Sequence, residues 1–287
     1  MKKFYDDVMT NAPGVKSLLG PEGRFPQRLV SLQSGDSDVG MMGLLEYLNA
    51  SFTVMPFVRK PGSVYPVMVE FAVRDIEATV RKVVGMGQPI IGGPFYGQSN
   101  GGAYGVVTFL DPNGVLILAT DCAAGRRNPA PAASAIRKVV IPTARNRAEP
   151  SAQLFHEALE MNVLRDETFG SAQTAALLDL EETAVARVIT LRQRREDHGM
   201  VSFMEVLEPE LDIKPFVKRD NYPYEAILVF VVDDIDRVLS KALPLGARLM
   251  GRRTYEVPGR GMVEGAMFTD SNGVVIDLTR WLGSQTG

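Results

Sequence analysis

The sequence predicts an α+β fold of two tandem domains built from strand-helix-three-strand (βαβββ) units, each a curled mixed sheet, and three observations carry that prediction. The first is an internal repeat: displaced by 159 positions, the chain matches itself without a gap from Glu46 to Leu118. Glu46 meets Glu205, Pro56-Phe57-Val58 meets Pro215-Phe216-Val217, Asp75-Ile76 meets Asp234-Ile235, and Asn113-Gly114-Val115 meets Asn272-Gly273-Val274. A register kept through loops as well as strands marks one folding unit made twice. The second is the alternation of short β-patterned runs with single helical segments. The third is Asp121 to Ser134, whose small residues and prolines suit an extended connector between the copies. The expected organisation is a domain over residues 1–120, a linker over 121–135 and a second domain over 136–287.

Taken in order, Lys3 to Met9 reads as the front of a helix, stopped at Asn11-Ala12-Pro13-Gly14 because proline and glycine cannot continue it. Arg28–Gln33 and Met41–Leu48 read as a hairpin. Tyr65–Val73 alternates as a strand, after which Asp75 is placed to cap the helix Ile76–Met86 and Gly87 to end it. Strands follow at Pro89–Tyr96, Tyr104–Leu110 and Val115–Thr120, the last two joined by the turn Asp111-Pro112-Asn113-Gly114. Beyond the linker the pattern gives a strand Ile136–Pro142, a helix Ala148–Met161, a strand Ala175–Leu180 and a hairpin of Arg187–Arg192 with Met200–Leu207. The copied segment then runs again: strand Ala226–Val232, helix Ile235–Leu245, and strands near Arg248–Tyr255, Val263–Phe268 and Val274–Arg280. Aligning Phe4 with Phe155 leaves the first domain without an opening strand. Either the start lies upstream, or another segment fills the slot, or the sheet keeps an unpaired edge, and such an edge predicts a homodimer.

Composition narrows the function. The 287 residues are 45% apolar and 23% charged, ordinary for a globular chain. A net charge of -3 and a pI near 5.6 supply no field for nucleic acid or an acidic membrane surface. The one cysteine, Cys122, excludes an intrachain disulfide and suits a reducing compartment. No apolar run reaches the length of a membrane span, and Met1-Lys2-Lys3-Phe4-Tyr5-Asp6-Asp7 lacks the apolar core of a secretion signal. A cytoplasmic location is expected.

The unit order, the strand-to-helix junctions Phe71-Ala72-Val73-Arg74-Asp75-Ile76 and Phe230-Val231-Val232-Asp233-Asp234-Ile235, and an Asp-x-Asn-Gly turn before each closing strand resemble the vicinal oxygen chelate superfamily. This group includes glyoxalases, bleomycin-resistance proteins and extradiol dioxygenases. The resemblance covers nearly the whole chain apart from the linker. It implies a ligand pocket on the concave face of each sheet, where family enzymes place metal-binding His or Glu. At the matching positions the second domain has Lys138, Glu205, Ile227 and Asp277, and the first has Glu46, Met68 and Leu118. A protonated lysine offers no lone pair and repels a cation, so no metal and no other cofactor is expected. The two histidines, His156 and His198, fall on a helix and in a turn, which removes the ligands an extradiol iron site needs.

If the resemblance holds, Lys138, Glu205 and Asp277 face one another in the second cavity as a buried ion-pair cluster, an acid/base set or polar contacts for a ligand. Glu70, two residues after Met68, shares its strand face and points toward the cavity of Glu46. Tyr104 contributes an aromatic wall, and Arg252, Arg253 and Arg260 stand at the mouth of the second cavity, as steering charges for an anion or as a solvated hairpin. The expected function is binding of a small polar or aromatic metabolite, with or without metal-independent acid/base chemistry. A metal-dependent lyase or dioxygenase and a drug-sequestering protein are the alternatives.

Overall fold

A computed structural model of the chain describes residues 2–9, 27–33, 42–47, 67–99, 102–122, 133–193, 198–211, 227–257 and 261–283. The elements are β1 (Lys2–Met9), β2 (Gln27–Gln33), β3 (Met42–Tyr47), β4 (Met68–Val73), α1 (Ile76–Gly85), β5 (Ile90–Ser99), β6 (Gly102–Leu110) and β7 (Leu116–Cys122). They continue with β8 (Ala133–Thr143), α2 (Ala148–Ala158), β9 (Asn162–Phe169), α3 (Ala172–Leu177), β10 (Val185–Arg192) and β11 (Met200–Glu208). The last unit is β12 (Ile227–Val231), α4 (Ile235–Ala242), β13 (Arg248–Val257), β14 (Gly261–Thr269) and β15 (Val275–Trp281). None of the described helices is long and apolar enough to cross a membrane.

Three sheets result: β1-β2-β3, an eight-stranded β5-β6-β7-β4-β8-β11-β10-β9, and a four-stranded β12-β15-β14-β13. Each βαβββ unit places its closing strand beside its opening one, and in the eight-stranded sheet two units meet where β4 pairs antiparallel with β8. The expected linker thus joins the two halves of this sheet; β7 ends at Cys122, β8 begins at Ala133, and residues 123–132 lie outside the described ones.

Two expected elements are corrected. Lys3–Met9 is a strand: Lys2–Met9 pairs antiparallel with Gln27–Gln33. So short a helix is marginal by itself, whereas β2 offers a ladder of backbone partners. The alignment of Phe4 with Phe155 fails accordingly, because Phe155 lies in α2; the offset of 159 carries residues 2–9 onto 161–168, all but the first of which lie in β9. Register supports this, since Arg28 opposes Glu46 in β2–β3 as Arg187 opposes Glu205 in β10–β11. The strands β1–β3 are therefore counterparts of β9–β11, and the described residues hold no counterpart of β8 or α2 for that unit. The second correction is Ala175–Leu180, where the chain forms α3. Ser171 caps it by accepting the Thr174 N–H at 3.2 Å, and Ala172, Ala175, Ala176 and Leu177 favour a helix. The strand of that unit is β9, whose run Arg165-Asp166-Glu167 hides the usual alternation.

The remaining elements follow their local signals. Asp75 and Asp234 accept the N–H groups of Ala78 at 2.9 Å and Arg237 at 3.0 Å, capping α1 and α4. Asp111 and Asp270 each close their Asp-x-Asn-Gly turn through backbone N–H groups, and Gly114 and Gly273 take the positive φ of 83° and 81° that the turn needs. Asp270 also accepts the Ser151 hydroxyl of α2, while Asn272 donates to the Arg147 carbonyl at 3.1 Å. That turn fastens the first turn of α2, whose own N-cap has no side-chain bond, through the Ser151 hydroxyl and the Arg147 carbonyl.

The largest core lies where α2 and α4 pack together between the eight-stranded and four-stranded sheets. Phe155 of α2 meets Phe203 of β11 edge-on at 5.0 Å and Phe230 of β12 at 5.8 Å. Burying each ring contributes about 1.5–3 kcal/mol, so this contact fixes the two units to each other. A second junction is at Gly92 of β5, where a Cβ would lie 2.3 Å from the Ala176 carbonyl oxygen of α3. Gly92→Ala is expected to cost about 1–3 kcal/mol in urea denaturation; an unchanged midpoint would show that α3 does not bear on β5.

Candidate functional site

The eight-stranded sheet has two chemically distinct faces, set by alternation along its strands. One face packs on helices: Val73 of β4, Val107 and Ala119 lie around Ile76 and Val80 of α1, Val69 and Phe71 share that face beside Ile117 and Ile136, and Ile189, Val201 and Phe203 lie under α2. The other face carries Met68, Leu116, Ala186, Met204 and Val206, an apolar floor drawn from both units. Leu178 and Leu180, just after α3, pack onto this floor from one end. This face is the wall of a cup.

Two residues beyond Met68, Glu70 stands at the junction of the two units, opposite Lys138 in the β4–β8 register. The register slips between Glu70 and Phe71, which pair with Lys138 and Ile136, so Arg137 is the extra residue of a β-bulge. A bulge brings neighbouring side chains to one side of a strand that would otherwise send them to opposite faces. Lys138 Nζ lies 2.9 Å from Glu70 Oε2, and Arg137 Nη1 lies 3.1 Å from Oε1. Thr120 of β7 donates its hydroxyl to the same oxygen at 3.3 Å. The Glu70 side chain is 6% exposed, whereas Arg137 and Lys138 keep 31% and 26%. The carboxylate is the buried member and its two cations reach toward open space.

The expected set of Lys138, Glu205 and Asp277 does not come together. Lys138 pairs with Glu70, across the boundary between the two units. Glu205 follows Met204, which is on the floor of the cup, and therefore points to the helix side, where Arg187 Nη1 lies 3.5 Å away. Arg187 also grips Asp166 through both of its oxygens, at 2.8 and 2.9 Å. Asp277 belongs to the separate four-stranded sheet, where it accepts from Arg253 Nη2 at 2.7 Å. Burial is the main influence on Asp277 and pushes its pKa up to about 6, against the downward pull of Arg253.

Of the other expected contacts, Met68 is buried in the cup floor and Ile227 packs on Met267 and Val275. Tyr104 stands on β6 opposite Gly97, where a Cβ would meet its ring at 2.7 Å. Arg252 is exposed and pairs with Asp236. Arg253 is not at an open mouth: its side chain is 6% exposed and its guanidinium lies 4.8 Å from the Tyr255 ring centroid. Gly265 makes that position available, since a Cβ there would meet Arg253 Nε at 3.2 Å. Arg260 and the side chain of Glu46 lie outside the described residues; Glu46 itself is on β3, in a different sheet from Glu70.

Arg137 escaped the sequence reading because simple alternation sends it to the helix face, and only the bulge against β4 reverses it. Glu70 was legible, but its partner was not, since Lys138 falls in the other copy of the repeat. A metal of the kind the family resemblance implies does not fit this donor set. At the centre of the cup it would meet an ammonium and a guanidinium, which donate hydrogens and offer no lone pair. Among the described residues no three His, Cys, Asp or Glu side chains gather as ligands, and His156 is engaged with the Met161 carbonyl at 2.7 Å.

No protein-family model matches the chain, and no curated protein matches its sequence. Solved structures do share its fold. A variant of glyoxalase I from Zea mays is 14% identical, with a TM-score of 0.61 over 97% of this chain and 84% of that one. Another structure of Zea mays glyoxalase I gives 16% identity and 0.60 over 88% and 79%. A candidate dioxygenase from Bacillus subtilis gives 12% and 0.53 over 99% and 78%. At such identities the likeness speaks for architecture: with its repeated βαβββ units and curled mixed sheets, the chain carries the fold of the vicinal oxygen chelate superfamily in tandem form.

Proposed function

We propose that this chain binds a small metabolite with a carboxylate on an apolar or aromatic body, in the cup of the eight-stranded sheet. The observation behind this reading is the pairing of two cations, Arg137 and Lys138, with the single carboxylate of Glu70. Among the described residues one positive charge is left without a counterpart, and it sits on the two side chains that retain exposure. An anion entering a partly desolvated site gains charge-assisted hydrogen bonds from both. Glu70 fixes the two cations, and the partly buried Val140 and Val188 beside the floor of Met68, Leu116 and Met204 take the apolar body. For a metal-independent proton transfer, Lys138 and Glu70 are the candidate pair at 2.9 Å, with Arg137 positioning the carboxylate.

The test is calorimetric titration with benzoate and phenylacetate against benzamide and phenylacetamide. The acids are expected to bind and the amides not. Lys138→Met should weaken the acids about 10- to 100-fold while far-ultraviolet circular dichroism is unchanged. Equal affinity for acid and amide, or an unaltered Lys138→Met, sinks the reading. Nuclear magnetic resonance on the bound acid over hours separates a binder from an enzyme.

A further inference from the structure

The cup holds two hydroxyls that the carboxylate site does not use. Ala186 and Val188 of β10 and Met204 and Val206 of β11 belong to its floor, while Ile189, Leu191, Val201 and Phe203 pack on the helix side. Alternation therefore sets Thr190 and Ser202 on the cup face, where they are register partners with hydroxyl oxygens 2.7 Å apart. Both are buried, Ser202 fully and Thr190 to 7% exposure. In an apolar floor such a pair adds nothing to folding that two methyl groups of the same shape would not supply. The repeat does without it: the 159-residue offset carries the pair onto Ser31 and Gly43, which oppose each other in β2–β3 with a hydroxyl on one side alone. The pair belongs to this cup and not to the folding unit.

Burial gives the bond between them a direction. A hydroxyl closed off from solvent needs an acceptor for its proton, and Thr190 Oγ1 is the one partner of the Ser202 hydroxyl among the described residues. Ser202 therefore donates and Thr190 accepts. The Thr190 proton, which has no acceptor among the described residues, is left to face the cup. Ser202 is the register partner of Val140 in β8, one same-face step from the level of Met200 and Lys138. Thr190 thus stands two strands and one such step from Lys138, on the order of 12 Å between Cα atoms. A benzoate with an oxygen at the para position and a hydrogen bond at each end spans a similar distance between its two donors.

We infer that the ligand of this cup carries, across its ring from the acid group, an oxygen that accepts a hydrogen bond, an ether or a carbonyl, and that Thr190 donates to it. The inference rests on the carboxylate site of Arg137 and Lys138 proposed above. Thr190 is then a specificity residue and Ser202 a positioning residue, whose hydroxyl turns the Thr190 proton toward the ligand. Val140 and Val188, beside the two hydroxyls, lie against the ring between its two anchored ends.

Calorimetric titration of the full chain with 4-methoxybenzoate and 4-ethylbenzoate, acids of nearly equal length that differ in the oxygen, tests this. The methoxyl acid is expected to bind about 3- to 10-fold more tightly. Thr190→Val, which keeps the shape and removes the hydroxyl, should abolish that preference, Thr190→Ser should keep it, and Ser202→Ala should narrow it. Thr190→Val strands the Ser202 proton; should it not fold, Thr190→Val with Ser202→Ala removes both groups and answers the same question. Equal affinity of the wild type for the two acids, or a preference that survives in the valine variants, overturns the inference while leaving the carboxylate site standing. A preference unaltered in Ser202→Ala overturns the orienting role of that residue. A wild type that binds neither acid, nor benzoate, overturns the carboxylate site and this inference with it.

Discussion

Arg253→Met lowers folding stability by about 3–5 kcal/mol near pH 8 and by much less near pH 5. The guanidinium is the one hydrogen-bond donor that Asp277 has among the described residues, and Asp277 Oδ1 is buried with no partner. Burial raises the Asp277 pKa to about 6, so the folded state holds this proton more tightly than the unfolded chain, whose aspartates titrate near about 3.9. A raised folded pKa contributes stability that is complete below the unfolded value and is lost as pH rises through about 6. Above that range the ionised carboxylate depends on Arg253; below it the neutral acid needs no counter-charge. Urea denaturation of both proteins across pH measures the difference. Asp277→Asn should also flatten the pH dependence of the wild type in this window. An equal loss at both pH values would show that Arg253 acts through packing on Tyr255 and Met267 instead.

Arg187→Met is the second large effect, on the order of 3 kcal/mol, and the double variant with Glu205→Met should regain most of it. Glu205 has a side chain 4% exposed, and its Oε2 has no partner, so removing Arg187 strands a buried charge. Replacing both members by apolar groups of similar length removes the charge as well. Because Glu205 faces the helix side, benzoate affinity should not move in the folded double variant. A double variant no more stable than Arg187→Met alone would assign the loss to Asp166, which the Arg187 hydrogen bonds hold below the usual carboxylate range. Altered benzoate binding would return Glu205 to the cup.

The repeat was legible because it is a property of residue order. Its offset predicts both Asp caps, both Asp-x-Asn-Gly turns and, extended backward, the Arg28–Glu46 and Arg187–Glu205 registers. The same offset makes Lys2–Met9 and β9 one element of the repeat, although neither run shows a clear alternation. Ser171 followed by alanines was likewise a readable helix start for α3. The candidate site is half legible: alternation places Glu70, Met68 and Lys138 on one side of their strands, but it does not show that Lys138 pairs with Glu70 rather than with Glu205 or Asp277.

Residue order by itself determined the number and type of folding units, their caps and turns, and the supply of charged groups on strands. Only the tertiary structure decided which charges meet. Partners across a sheet depend on which edges pair and where a ladder slips by one residue, and such a slip at Arg137 turns a side chain from one face to the other. That choice is made by long-range backbone pairing between β4 and β8, which no local pattern in either strand records.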